Sequence, residues 1–293
     1  MNISAILTTF DNNNNLIDEH IVNEGDDVAS VLGITKYEPV IPTSMSGDVY
    51  NAGRHLIVNF DVENYKKYPS IIKDGTDVVM TEKLHGTFFG IGLLPLIDHN
   101  PIHIHNKFVL FSKGLGSQGL CFKRSSRSES TVYLRAAEKF GLFDILESMN
   151  SLIKSEHGQQ GVDHPLFILG EVFGAGIQDN GWYSDELSFR AFDIASGYNE
   201  PGLQTFFNYD QMVSLANTVG LKTVPILYRG PFSKEIMMQY TTGNETVSGE
   251  SKNMREGVVV KPTIEATDNT IGRVMLKSIS EQYLLRKNGF EFN

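Results

Sequence analysis

Residues 81–87 read Thr-Glu-Lys-Leu-His-Gly-Thr and lie between two apolar runs, Val78-Val79-Met80 and Phe88-Phe89-Gly90-Ile91-Gly92-Leu93-Leu94. That pattern predicts two buried strands joined by a tight turn. Whatever fold the chain adopts must hold Lys83 there, with its backbone fixed on both sides. A lysine amine is protonated at neutral pH, its ordinary pKa being about 10.4, and it attacks only when that proton is removed. Burial against apolar strands, a second cation or a bound metal disfavours the ammonium. Gly86 allows close approach of the backbone to a ligand. The segment suits covalent catalysis through a lysyl amine. The bland reading is a chance string, because Lys-x-x-Gly recurs at Lys113-Gly114-Leu115-Gly116. With 27 glycines in 293 residues, about one accidental copy is expected.

Length allows one large domain or two modest ones, with ample core. Hydrophobic residues at 41% and charged residues at 20% are ordinary globular values. No apolar run is long enough for a membrane helix, and Met1-Asn2-Ile3-Ser4 lacks the basic start and apolar stretch of a secretory leader. The single Cys121 cannot pair internally, which fits a reducing, cytoplasmic setting. A net charge of −10 argues against a protein that coats nucleic acid over its whole surface. Lys107, Lys113, Lys123, Arg124 and Arg127 cluster in a stretch short of acids. They form either a local basic groove or a solvated loop, and composition favours the loop.

Residues 1–40 stand apart: strand 3–10, an Asp/Asn turn, a returning strand at 16–22 and a short helix over 25–33. Pro39, Pro42 and the small residues at 44–48 mark a linker. Residues 59–68 read as a helix or turn, and 112–119 as a glycine-rich loop after the strand Phe108-Val109-Leu110-Phe111. That loop is too irregular for either common phosphate-binding fingerprint. Helical spacing over 131–154 breaks at Gly141, and further helices are expected over 209–219 and 233–240. His103 and His105 share a strand face, but a zinc site needs two more well-spaced ligands, which His99 and Cys121 do not supply. The tail over 281–287 reads as a short surface helix.

Several apolar strands each carry one or two polar residues: Glu82 and Lys83, Lys113, Glu171, Asp193 beside Phe192, Glu256 with Lys261, then Lys277. A charge emerging from a buried run is seldom accidental, because burying it unpaired is expensive. In chain order, over roughly residues 81–278, these segments resemble the covalent nucleotidyltransferase superfamily of polynucleotide ligases and capping enzymes. Glu82-Lys83-Leu84-His85-Gly86-Thr87, Phe189-Arg190-Ala191-Phe192-Asp193-Ile194 and Glu256-Gly257-Val258-Val259-Val260-Lys261 are most similar to ATP-dependent RNA ligases that seal nicks. Leu32-Gly33-Ile34-Thr35-Lys36-Tyr37-Glu38-Pro39 resembles a subgroup whose longer members carry an N-terminal OB-like domain.

The resemblance implies an α+β nucleotidyltransferase fold, ATP-grasp-like, of antiparallel sheets with flanking helices. It also implies an adenylyltransferase domain over 41–293, after a 1–40 extension expected to be a remnant of an OB-like module. By the same resemblance Lys83 attacks the ATP α-phosphorus and carries AMP, and Glu82 and Phe192 meet the adenine. Glu171 meets the ribose, Lys113, Lys261 and Lys277 the phosphates, and Glu256 the water shell of Mg2+ or Mn2+. Gly86 and Asp193 match binding positions, and His85 acts chiefly after lysine adenylylation. The implied substrate is RNA or an RNA-containing nicked duplex, and the chain is expected to act as a monomer away from membranes.

Some residues depart from the family pattern. Phe88 stands where relatives carry asparagine, Lys113 where they carry arginine, and Met275 at the first lysine of a Lys-x-Lys pair ending at Lys277. Arg273 is a candidate substitute for that missing lysine. The rival readings are a DNA ligase, a capping-type guanylyltransferase, or an inactive nucleic-acid-binding relative.

Overall fold

The structure, a computed structural model, describes residues 4–10, 16–23, 28, 31–32, 48–95, 107–124, 131–157, 164–174, 177 and 183–286. The chain separates into two compact units, Met1–Val40 and Ile41–Asn293. In the first, β1 (Ser4–Phe10) and β2 (Leu16–Asn23) form the expected antiparallel hairpin, with a register shift between Thr9 and Phe10. The expected helix over 25–33 and the linker at 39–48 fall mostly outside the described residues.

The second unit begins with β3 (Val49–Asn51), β4 (Glu63–Asn64), β5 (Asp77–Lys83), β6 (Thr87–Leu93) and β7 (Phe108–Phe111). Then come α1 (Lys113–Gln118), β8 (Leu120–Phe122), α2 (Val132–Lys139), α3 (Leu142–His157), β9 (Leu166–Phe173), β10 (Ser188–Ser196) and β11 (Thr205–Phe206). The chain closes with α4 (Tyr209–Thr218), β12 (Ile226–Pro231), α5 (Lys234–Thr241), β13 (Gly257–Pro262), β14 (Thr267–Asp268), β15 (Gly272–Arg273), β16 (Leu276–Ile279) and α6 (Glu281–Leu284). No helix among the described residues is long and apolar enough to cross a membrane.

Two five-stranded sheets dominate, ordered β11-β10-β9-β6-β7 and β12-β5-β13-β16-β4. Every pairing in them is antiparallel except β16 with β4, so the α+β expectation holds. β5 and β6 lie in different sheets. The turn around Lys83 is therefore a crossing between sheets, not a hairpin.

Alternation along the strands explains the packing. Phe89, Ile91 and Leu93 of β6, with Leu166, Ile168 and Val172 of β9, face α2, α3 and α4 in the main core. Phe167 and Leu169 turn the other way, onto Leu56, Ile57 and Val58. In the second sheet Val78, Met80, Val258, Val260 and Leu276 pack against Met237 of α5 and Phe232.

Two local expectations change. Residues 112–119 form α1 instead of a loop: Ser112 Oγ accepts from Leu115 N–H, and Gly119 ends the helix at φ 79°. Residues 63–64 form β4, because their backbone finds a partner in β16.

Glycines inside β6 are there because aromatic rings lie over them. A Cβ at Gly90 would sit 2.3 Å from the Phe111 ring, whereas one at Gly114 would meet nothing within 4 Å. Gly90→Ala is expected to lose about 1–3 kcal/mol by overpacking. Gly114→Ala should hold its stability or gain up to about 1 kcal/mol. Denaturant unfolding of the two variants checks both.

Candidate active site

β5 ends at Lys83 and β6 starts at Thr87. Between them Gly86 lies so close to β9 that a Cβ would come 2.4 Å from the Val172 carbonyl oxygen and 2.9 Å from Glu171 Cγ. Glycine is required there by close approach, and that approach brings Glu171 to the turn. On the other side Lys83 pairs with Gly257 of β13, and Val259 pairs with Lys277 of β16. Paired residues share a face, as do residues two apart, so Lys83, Val259 and Lys277 project together. The Lys83 amine forms an ion pair with Glu256, whose side chain is 3% exposed against 26% for the lysine.

This face opens onto a cleft with two lobes. One, about 200 Å³, is lined by Phe60, Phe88, Phe192, Val224, Val259 and Met275, with Glu82 at its wall. Phe60 stacks on Phe88 with centroids 5.3 Å apart and lies 5.0 Å from Phe192. Phe192 reaches the lobe because β10 carries a register shift between Ala191 and Asp193. An extra residue of this kind re-aims side chains beside functional sites. The second lobe, about 520 Å³, is polar and is lined by His85, Gly86, Glu256, Lys67, Glu63 and Asn64. Lys83, Lys113, Glu171 and Lys277 border both lobes. A flat apolar ring fits the first lobe, the second offers lysines to anionic groups and carboxylates to a hydrated cation, and the Lys83 amine stands at the junction.

The charges are tuned by burial and by each other. Partial burial, then the nearby Lys83 and Lys113 charges, hold Lys277 below the ordinary lysine value. Burial, the largest single effect, would raise the Asp61 carboxyl, but the 2.7 Å hydrogen bond from Lys113, the Val62 N–H and the Lys113 and Lys277 charges together outweigh it and the net shift is downward. Burial raises the Glu82 carboxyl, against two hydrogen bonds that Thr246 donates to Oε2, from N–H at 2.9 Å and from Oγ1 at 2.6 Å. The other oxygen, Oε1, is buried without a hydrogen-bond partner among the described residues.

Two of the expected site residues lie elsewhere. Lys261, expected at the phosphates, is 5% exposed and absent from both lobes; its amine is paired with Asp193 and lies 3.4 Å from Glu265. It pairs with Val79, four residues along β5 from Lys83. At about 3.3 Å per residue that is roughly 13 Å from the Lys83 row. Asp193 also takes both Arg273 Nη atoms at 2.8 Å, and Arg273 reaches Glu265 at 2.7 and 2.6 Å. Arg273 is thus committed to this cluster and does not stand in for the missing lysine. Met275 lines the apolar lobe instead.

Of the basic stretch, Lys107 pairs with Glu147 at 2.5 Å and Arg124 lies 4.4 Å over the Phe143 ring. Arg127, His99, His103 and His105 lie outside the described residues. Among the described residues no three His, Cys, Asp or Glu side chains form a metal-binding group. Glu256 and its acidic neighbours offer isolated oxygen donors instead, which suits an ion that keeps most of its waters.

Sequence reasoning missed Phe60 and Asp61, which lie in a polar segment with no local signature. It also missed Tyr183, whose hydroxyl accepts the His85 backbone N–H at 2.8 Å, and Tyr283, whose hydroxyl lies 2.5 Å from His85 Nδ1.

A sequence model of the RNA ligase family matches residues 76–279. The chain belongs to that family. Solved structures of the Naegleria gruberi RNA ligase share the fold of this RNA ligase family member. A mutant with ATP and Mn superposes with a TM-score of 0.56 at 20% identity, over 95% of this chain and 76% of that one. The same ligase with PPi gives 0.56 at 21% identity, over 95% and 75%. A mutant with AMP and Mn also gives 0.56 at 21%, over 95% and 75%. No curated protein matches the chain.

The Asp193 cluster yields a pH-dependent expectation. Asp193 is fully buried, which alone would raise its carboxyl, but Arg273 and Lys261 hold it below 3.8. A depressed carboxyl stabilises the fold above its unfolded pKa, and that contribution is lost as pH falls through the folded value. Asp193→Asn leaves two buried cations sharing the single carboxylate of Glu265 and should cost about 3 kcal/mol at neutral pH. The gap between wild type and variant should narrow only as pH drops below 3.8. Denaturant midpoints measured across the acid range check this.

Proposed function

We propose that the chain is an ATP-dependent RNA ligase working through a lysyl-AMP intermediate. The observation that carries the reading is Lys83 at the junction of an aromatic lobe and a polar lobe lined by both lysines and carboxylates, inside a chain of the RNA ligase family. The Naegleria structures with ATP, AMP, PPi and Mn support it by shared fold.

In the proposed reaction adenine occupies the aromatic lobe against Phe192, and the Glu82 Oε1 atom accepts from its exocyclic amine. Glu171 meets the ribose. Lys83 Nζ, as the neutral amine, attacks the α-phosphorus, a P–N bond forms, the nitrogen releases a proton to solvent, and the bond to the bridging oxygen breaks with its electron pair leaving on pyrophosphate. An oxygen of the RNA 5′-phosphate then displaces the lysine, which leaves as the amine. The 3′-OH attacks that activated phosphate, closes the strand and releases AMP. Each step is an in-line displacement in which positioning and charge neutralisation carry the catalysis.

Lys277 and Lys113 face the phosphates across the lobe, and Gly86 keeps the turn close to them. Glu256 has two duties: it holds Lys83 at rest, and it orients the water shell of Mg2+ or Mn2+. A divalent ion bound there supplies positive charge to the phosphate oxygens. Asp193 and Lys261 act by bracing β10 against β13, not by touching the nucleotide. The substrate is RNA or an RNA-containing nicked duplex, and the chain acts as a monomer in the cytoplasm. Residues 41–293 form the adenylyltransferase unit, and residues 1–40 are a separate unit related to an OB-like module.

Labelled ATP should leave an acid-labile AMP adduct on the wild type, labelled GTP none, and Lys83→Ala none with either while its circular dichroism shows the fold intact. A Lys83→Ala chain that still carried AMP would refute the assignment. Phe192→Ala should raise KM for ATP by the loss of a stacked base, roughly 5- to 150-fold. Steady-state adenylylation kinetics measure it.

A further inference from the structure

The sequence predicts a surface helix for the tail, yet Tyr283 of α6 is completely buried. Its hydroxyl lies 2.5 Å from His85 Nδ1, and the two rings meet edge to face with centroids 5.7 Å apart. The tyrosine is held in turn. The Arg286 guanidinium covers its ring at 3.6 Å and donates to its carbonyl at 2.9 Å, while the Leu284 N–H closes the helical turn onto Ser280. On the main-chain side His85 donates its N–H to the Tyr183 hydroxyl. The imidazole is 4% exposed and borders the polar lobe. Its place is therefore fixed from the tail and from Tyr183, neither of which belongs to the motif string that contains it.

The chemistry of the contact sets a tautomer. A phenol has an ordinary pKa of about 10 and an imidazole about 6.5, so in the neutral pair the phenol donates and Nδ1 accepts. The bond made by one ring nitrogen decides what the other carries. The hydrogen then belongs on Nε2.

We infer that Tyr283 is a positioning residue for the ligase reaction, its hydroxyl holding His85 as the Nε2–H tautomer so that the ring offers a donor to a phosphate oxygen in the polar lobe. This rests on the proposed function and on His85 acting after lysine adenylylation. Phosphate oxygens only accept, so the other tautomer would set a lone pair against an anion. Tyr283 thus serves AMP transfer and strand sealing, and it is dispensable for forming lysyl-AMP.

Tyr283→Phe keeps the ring and removes the hydroxyl. Imidazole 15N spectra, with the His85 signals assigned by their loss in His85→Ala, should show Nε2 protonated in the wild type and a tautomer mixture in Tyr283→Phe. Lysyl-AMP formation from ATP should stay within about twofold of wild type, while sealing of an RNA nick by pre-adenylylated protein falls about tenfold or more. The double variant His85→Ala/Tyr283→Phe should seal no more slowly than His85→Ala. An unchanged tautomer, an equal loss in both steps, or a further loss in the double variant each overturns the inference. A wild type that adenylylates and seals while Tyr283→Phe matches it sinks this inference alone. A wild type that forms no lysyl-AMP sinks the proposed function with it.

Discussion

The ion pair between Lys83 and Glu256 is the contact on which the site depends. Glu256 immediately precedes Gly257, the residue paired with Lys83 across β5 and β13, so the sheet register itself delivers the carboxylate to the amine. Gly257 has no room for anything larger, since a Cβ there would lie 2.0 Å from the Ser278 carbonyl oxygen. An ammonium held by a carboxylate has no lone pair to offer. In the proposed reaction the pair describes the resting site, and before Lys83 attacks Glu256 is drawn away and the ammonium gives its proton to solvent. A carboxylate that can bind either a lysine or a hydrated cation is well placed to couple metal binding to nucleophile release.

The rest of the architecture serves that junction. Because β5 and β6 belong to different sheets, the Lys83 turn crosses between them, and the cleft takes one wall from each. Phe88 and Phe192 come from one sheet, Val259, Lys277 and Glu63–Asn64 from the other, and residues 60–62, which lead into β4, close a third side. The Asp193, Lys261, Arg273 and Glu265 cluster joins β10 to β13 and β15. Breaking a buried network of this kind is costly even where its net worth is small, which suits a brace that keeps the aromatic lobe at a set width. Phe88 gives the lobe a third ring beside Phe60 and Phe192.

Much of this was legible from residue order. The runs around Lys83 announce their strands because buried strands are apolar throughout, and Glu171, Phe192 and Lys277 each sit beside such a run and do reach the cleft. Lys261 satisfies the same rule and does not reach it. Its place in the string says nothing about the four-residue offset along β13, nor about the acids of β10 and the 263–266 turn that capture it. The α1 helix was hidden by its glycines; Gly116 is there because a Cβ would strike the Phe111 ring at 2.7 Å. Phe60, Asp61, Tyr183 and Tyr283 gave no signal, because their roles come from contacts 20 to 200 residues away in sequence, and no local periodicity encodes those.

The most direct test of the whole account is a crystal structure of the chain after incubation with ATP and Mn2+. The account predicts AMP joined to Lys83 Nζ, its base in the lobe of Phe60, Phe88 and Phe192, its phosphate beside Lys277, and Glu256 no longer paired with the lysine. A nucleotide bound elsewhere, or seated in the cleft with Lys83 unmodified and still held by Glu256 after full incubation, would contradict it.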